Sequence, residues 1–388
     1  MSGAALLGRV LRRAGREAAC FPLLHLRPRL EAARRARHWA GKGAAAVPRQ
    51  ILVAQLADIG DMVLTGPFLR RLRGLYPGAR IVLAAAPHVA EFARGCRHVD
   101  AVAPFDFQAL AGPAWRQATA GCPAWWREAA ALREREFPGL PPDLGLSVRT
   151  NQDVVQAAAQ VVLAGSHGRR LLGMPVKPLL GYFRSGLVLD RVVPVPRAGH
   201  EVERQAALFE ALGQPAAAPG PLEPWITPNT AREAADVWRS LGWAEDRPVV
   251  GLGIGAGHMG KVWPAARFAS LARRFRRVHI AVIGSAADRE AGEEIARACG
   301  ANAANLAGRM PLEVTAAFLA RCGLFVGNDS GPLHLAAAAG VPVVGLYSRE
   351  DPARWAPWTE RREVLREAEI GRLEPEAVLA AARRLLPV

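Results

Sequence analysis

The chain is short of lysine, tyrosine and cysteine, and each shortage narrows what it can be. Its five cysteines (Cys20, Cys96, Cys122, Cys299, Cys322) are scattered with no C-x-x-C pair. That spacing argues for a reducing compartment and against a zinc ribbon or a disulfide frame. No apolar run approaches the ~20 residues that span a bilayer. The stretch 18–26 is too short for a signal peptide and is broken by Pro22 and His25. None of Tyr76, Tyr182 and Tyr347 has a lysine four residues later. The Tyr-x-x-x-Lys pair that an NAD-dependent nucleotide-sugar epimerase or dehydrogenase needs is therefore missing. Lys42, Lys177 and Lys261 stand against 47 arginines. In a chain that uses Arg almost wherever a positive charge will do, Lys261, kept within a glycine loop, suggests that a compact ammonium is wanted there.

What the chain has in quantity is apolar residues and positive charge. About half of its 388 residues are apolar, enough for large cores, and the length suits two domains. The charge is uneven. Residues 1–49 hold ten arginines and Lys42 against Glu17 and Glu31, a net +9 of the total +15. Leu6, Leu7, Val10, Leu11 and Ala14 recur at helical spacing beside Arg9, Arg12, Arg13 and Arg16. This reads as a basic amphipathic arm for an anionic lipid surface. A disordered arm in an arginine-rich chain is the competing reading. No nucleic-acid module accompanies the charge, so no nucleic-acid partner is assigned.

From residue 50 onward, strand-length apolar runs alternate with helical patterns. Runs at 51–56, 81–86, 101–104 and 144–148 predict strands. A helix is predicted over 62–76, with Leu64, Phe68, Leu72 and Leu75 on one face. Another is predicted over 200–212. Trp115, Trp125 and Trp126 fall in a segment read as an irregular insert. Pro215, Pro219, Pro221, Pro224 and Pro228 then make 214–230 a stiff linker that should not hold a helix. Alternation resumes with strands at 249–254, 278–283, 324–326 and 341–347, and helices at 264–275, 288–299 and 335–339. The pattern predicts α/β architecture with two doubly wound parallel sheets about a cleft. The expected boundaries are an arm at 1–49, a first domain at 50–213, the linker, a second domain at 231–360 and a helical segment at 361–388.

Two loops in the second half carry chemistry. The first runs Gly253-Ile254-Gly255-Ala256-Gly257-His258-Met259-Gly260-Lys261-Val262-Trp263-Pro264. Its glycines would let backbone N–H groups reach phosphate oxygens, and Lys261 would add a point charge. It matches two phosphate motifs loosely. Val262 stands where a phosphate-loop enzyme needs Ser or Thr, and no acid ends the next strand where a dinucleotide fold needs one. The second loop, Gly327-Asn328-Asp329-Ser330-Gly331-Pro332-Leu333-His334, lies between a strand and a small-residue helix. Pro332 suits a first helical turn, and Ser330 or Asp329 could cap it. The motif reads as an ordinary capped crossover or as a helix start that receives a diphosphate, with His334 turned towards the same space.

The order of motifs resembles glycosyltransferase family 9, the bacterial heptosyltransferases of lipopolysaccharide synthesis. The matching pieces are Ile59-Gly60-Asp61 with Leu64 and Pro67, Tyr76-Pro77-Gly78-Ala79-Arg80 and His200-Glu201-Val202-Glu203-Arg204. They continue with Gly260-Lys261-Val262-Trp263-Pro264, Gly284 with Asp288, Asn305-Leu306-Ala307-Gly308 and Asn328 to His334. The resemblance implies a GT-B fold of two Rossmann-like domains facing a central cleft, with acceptor on the first and nucleotide sugar on the second. It implies inverting, metal-independent transfer of a heptose-like sugar from ADP-heptose to a lipopolysaccharide core or other envelope glycan, with no cofactor. The absence of any D-x-D agrees with that. It also implies a cytoplasmic protein, peripheral on the inner face of the bacterial inner membrane.

Carried over residue by residue, the resemblance implies that Asp61 is the general base. Lys261, the backbone at Ala256 and Gly257, and the helix start at Ser330-Gly331 would hold the diphosphate. Asp288 would bind the ribose, Asp329 and His334 would contact the sugar or diphosphate, and Gly60 would face the acceptor. Asp61 and Asp288 could each instead be helix N-caps, and His334 a local cap. Ser348-Arg349-Glu350 replaces the Gly-Pro-Thr usual before Asp351-Pro352, so the donor contacts of that loop are open. A non-catalytic glycan-binding or assembly member of the family is the alternative. The joint presence of Asp61, Lys261 and Asp329 argues against it.

Overall fold

The computed structural model describes residues 47–107, 109, 121–139, 142–148, 170–173, 191–194, 198–215, 217–244 and 246–386. Arm residues 1–46 and Trp115 lie outside the described residues.

The apolar runs form two parallel sheets. Strands β1 (Gln50–Gln55), β2 (Arg80–Ala85), β3 (Ala101–Pro104), β4 (Leu144–Ser147), β5 (Arg170–Gly173) and β6 (Arg191–Val192) make a six-stranded sheet of order β3-β2-β1-β4-β5-β6. In its centre Val53 pairs with Leu83 on one side and Leu146 on the other. Strands β7 (Val249–Gly253), β8 (His279–Ile283), β9 (Ala303–Asn305), β10 (Leu324–Asn328), β11 (Val343–Tyr347) and β12 (Arg362–Arg366) repeat that plan, in the order β12-β11-β10-β7-β8-β9. Helices cover such sheets on both faces, which is why the central strands are almost wholly apolar. In the second sheet Val250, Leu252, Val326, Val344 and Leu346 share one core with Phe268, Leu271, Ile295 and Val378. The strand order reverses between β7 and β10, and loops at such a switch point form the binding crevice of doubly wound folds.

Among the described residues the helices are α1 (Ile59–Leu64), α2 (Gly66–Leu75), α3 (Pro87–Ala93), α4 (Gly121–Glu136), α5 (Glu201–Ala211), α6 (Pro228–Ser240), α7 (Ala265–Ala272), α8 (Arg289–Cys299), α9 (Leu312–Leu319), α10 (Gly331–Ala338), α11 (Pro352–Trp355) and α12 (Pro375–Leu385). Several differ from the sequence reading. The single helix predicted over 62–76 is two, and it starts earlier, at Ile59. Pro67 has no N–H to continue the first helix, so the chain restarts as α2. Asp61 is therefore not an N-cap. Asp58 holds that position, and Asp61 lies inside the first turn. Trp125 and Trp126 belong to α4 rather than to an irregular insert. The proline-rich segment ends in a helix, because Pro228 sits in the first turn of α6, where no N–H is needed. Thr227 caps that turn, accepting from Thr230 N at 3.2 Å. Residues 361–388 supply β12 to the second sheet as well as α12.

The chain divides into two compact units. Of the described residues, one contains those up to Ala57, those between Phe68 and Arg197 and those between Arg204 and Ala218. The other contains Asp58–Pro67, Ala198–Glu203 and everything from Pro219. The short piece carrying α1 and Asp61 thus packs with the second unit, although it follows the first strand of the first sheet.

Candidate functional site

The site is built at the switch point of the second sheet. The glycine loop leaves β7 and runs through a 3-10 turn, Met259–Lys261, to Trp263, whose side chain is fully buried. A single side chain fastens both ends of this loop. Asn328, buried at the end of β10, donates from Nδ2 to Ile254 O at 2.7 Å and accepts at Oδ1 from Trp263 N at 3.0 Å. Trp263 is anchored in turn by its Nε1, which donates to Leu373 O at 2.9 Å. Sequence reasoning quoted Asn328 within a motif but gave it no role. Its amide donates and accepts at fixed geometry without ionising, which both of these contacts require.

Loop closure aims Lys261 at the next strand end. Its ammonium lies 2.8 Å from Asp329 Oδ2 and 3.2 Å from Glu350 Oε1. Burial works against the charged ammonium, but the hydrogen bonds and charges of Asp329 and Glu350 outweigh it and hold its pKa above the ordinary lysine value. Burial pushes the Asp329 carboxyl up, against the pull of Lys261. The segment after β11 lies against the same loop. Ser348 Oγ donates to Gly260 O at 2.7 Å, and Arg349 Nε lies 2.9 Å from where a Cβ on Gly260 would stand.

The glycines divide by task. A Cβ on Gly255 would collide with the Asp288 carboxylate, and one on Gly260 would press on Arg349. Only around Gly257 is the space open, and Gly257 is exposed beside half-buried Ala256. Of the loop glycines, then, Gly257 keeps an approach for a ligand. Asp288 Oδ2 accepts from both Ser285 N and Ser285 Oγ at 2.7 Å, which turns its carboxylate back over the ends of β7 and β8. It does not cap α8 with its side chain.

Among the described residues the start of α10 has no side-chain cap. Ser330 holds the N-cap position, but its hydroxyl donates to Asn328 O at 3.1 Å instead. The capping expected of Ser330 or Asp329 does not occur, because Asp329 is engaged by Lys261. Instead α1 packs over this helix start. Ile59 lies against Gly331, and a Cβ on Gly60 would come within 2.9 Å of His334 Cδ2. Both glycines are needed for that approach. His334 is 4% exposed, and its Nδ1 has no hydrogen-bond partner among the described residues. Burial, reinforced by the nearby charges of His200 and Lys261, drives its pKa down to about 3, so the ring is neutral at physiological pH. It is not a local cap. Asp61, half-buried in α1, accepts at its backbone oxygen from Thr65 Oγ1 at 2.8 Å. The structure thus brings together Lys261 with Asp329, the glycine loop with Asp288, and the Gly60 turn with His334.

The family model for glycosyltransferase family 9 (heptosyltransferase) matches residues 170–376, more than half of the chain. The chain belongs to glycosyltransferase family 9. Among characterised proteins it is similar to lipopolysaccharide heptosyltransferase 2 of Salmonella typhimurium, at 32% identity over 197 residues, 48% of this chain and 57% of that protein. It is also similar to lipopolysaccharide heptosyltransferase 3 of Escherichia coli, at 28% identity over 247 residues, 55% of this chain and 68% of that protein. The match to the first relative thus spans little more than half of its length. Two solved structures share the fold more fully. A family 9 glycosyl transferase from Veillonella parvula superposes with TM-score 0.73 at 22% identity, covering 89% of this chain and 99% of the other. E. coli ADP-heptose lps heptosyltransferase II gives 0.67 at 24%, covering 87% and 98%. The fold is GT-B, with one Rossmann-like sheet in each unit.

Proposed function

We propose that this protein is an inverting, metal-independent glycosyltransferase that moves a heptose from ADP-heptose to a lipopolysaccharide core or other envelope glycan. One observation carries the reading: a family 9 chain holds one of its three lysines against Asp329 at the switch point, beside the open backbone of Gly257. A departing nucleoside diphosphate needs preorganised positive charge more than the bound donor does, and such charge accelerates transfer. Lys261 supplies it, with backbone N–H groups at Ala256 and Gly257 and the start of α10 at Ser330-Gly331. The absence of a side-chain cap on α10 supports that role.

Asp61 takes the proton of the acceptor hydroxyl as that oxygen attacks the anomeric carbon from the face opposite the diphosphate, which inverts the configuration. Gly60 lies beside the acceptor. Asp288 receives the ribose hydroxyls through the carboxylate oxygen that Ser285 leaves free. His334 stays neutral and offers a hydrogen bond rather than a charge to the sugar. No helix among the described residues is long and apolar enough to cross a membrane. The basic arm at 1–49 is the element assigned to the anionic inner face of the membrane.

The test is a donor screen. Purified protein is given ADP-heptoses and common UDP and GDP sugars, with a chelator throughout, and both hydrolysis and transfer are followed. Turnover of an ADP-heptose with inversion in the presence of chelator is the expected result. Exclusive use of another donor, or activity that returns only with a divalent cation, would contradict the reading.

A further inference from the structure

Among the described residues the ammonium of Lys261 has two carboxylate partners, and they are not equivalent. Asp329 is 8% exposed, at the end of β10, with its backbone N–H bonded to Leu346 O at 3.0 Å. It is fixed. The Glu350 side chain is 42% exposed, on the turn that follows β11. The backbone of that turn is held by Ser348 against Gly260 and by Arg349 packed on the same glycine. The Glu350 carboxylate is therefore anchored within reach of Lys261 while its side chain keeps a path to solvent.

Charge makes the second partner significant. One carboxylate balances the ammonium, and the other leaves the trio with a net negative charge. An arriving diphosphate must share Lys261 with Glu350 or displace it, and like charges around one cation repel. Asp329 is too buried to leave. Glu350 is the partner that can.

We propose that Glu350 is an internal counter-ion that covers Lys261 in the donor-free protein and is expelled by the diphosphate of the donor. Glu350 thereby weakens binding of the donor and of the nucleoside diphosphate product, and it recaptures Lys261 as that product leaves. This inference rests on the reading of Lys261 as the cation for the diphosphate.

The experiment is calorimetric titration of ADP into the full-length wild type and the variants Glu350→Gln, Glu350→Ala, Lys261→Ala and Lys261→Ala/Glu350→Gln. Circular dichroism and thermal scans establish that each is folded. Glu350→Gln and Glu350→Ala should each bind ADP about tenfold more tightly than wild type, a change of about 1.4 kcal/mol. Lys261→Ala should bind more weakly, and in that background Glu350→Gln should gain less, because there is no ammonium left to uncover. If both Glu350 variants bind no better than wild type while Lys261→Ala binds worse, the counter-ion role is wrong and the diphosphate site stands. If Lys261→Ala binds as well as wild type, the site itself is misassigned and the counter-ion role falls with it.

Discussion

Replacing Asn328 with alanine should damage the site without touching any group assigned to the chemistry. Asn328 is fully buried and makes two hydrogen bonds to backbone, to Ile254 O at 2.7 Å and from Trp263 N at 3.0 Å. Removing its amide leaves a buried carbonyl and a buried N–H without partners. Each such group costs about 1–3 kcal/mol. With partial relaxation of the loop and entry of water to one of them, the loss should be about 2–4 kcal/mol. Urea unfolding followed by tryptophan fluorescence would read it, since buried Trp263 lies at the affected end. Asn328→Asp is the informative companion. It keeps an acceptor for Trp263 N–H but turns a second oxygen onto the Ile254 carbonyl, so it should fall at least as far. Under conditions where Asn328→Ala remains folded, ADP affinity should also drop, because the loop carrying Lys261 is no longer held at both ends. A stability change below about 0.5 kcal/mol, the range of ordinary surface substitutions, with ADP affinity unaltered, would show that the loop closes without this clamp.

Asp61→Asn should leave ADP binding within a few-fold of wild type and lower turnover by the roughly 10²–10⁴ typical of a lost general base; near-normal turnover at normal stability would remove Asp61 from the mechanism. Lys261→Arg should not restore wild-type turnover, because a planar fork beside Asp329 and Glu350 pairs with those carboxylates instead of presenting a compact charge to the diphosphate; full activity would refute the argument from lysine scarcity. His334 has a folded pKa of about 3 against an ordinary 6.5, so the unfolded chain binds the extra proton between those values and stability rises with pH across that window. The contribution is fully present above pH 6.5 and is lost as pH falls towards 3, by at most about 5 kcal/mol. His334→Gln should flatten that part of the stability profile, and an unchanged profile would mean that the ring is not held neutral by burial.

How much of this could be read from sequence depends on the kind of contact. The central strands of both sheets were visible because strands buried on two faces are written as apolar runs, as in Ile51–Val53 and Val249–Leu252. Strands β5, β6, β9 and β12 gave no such signal and appear only through pairing, β5 with β4, β6 with β5, β9 with β8 and β12 with β11. The glycine loop was visible as a loop, but the purpose of each glycine was not. Gly255 and Gly260 make room for Asp288 and Arg349, side chains from other elements. A glycine placed for a neighbour and a glycine placed for a ligand look alike in one dimension.

Lys261 and Asp329 are 68 residues apart, yet their meeting follows from topology. In a doubly wound sheet the first and fourth strands are neighbours, so the loops leaving β7 and β10 emerge side by side, and β11 with Glu350 lies next to them. Once that strand order is accepted, the lysine of one loop and the acid of the next have to be close. Asp61 is a different case. No periodicity or composition indicates that Asp58–Pro67, leaving the first sheet, packs with the second unit. What makes the packing possible is steric: Gly60 admits the His334 ring, and Gly331 admits Ile59. Each glycine is meaningful only against the bulky residue that faces it, and each belongs to a motif that seemed complete on its own. The piece carrying the proposed base is therefore joined to the proposed donor site by shape. That is why motif order could suggest the two functions, while only the folded chain brings their carriers, α1 and α10, into contact.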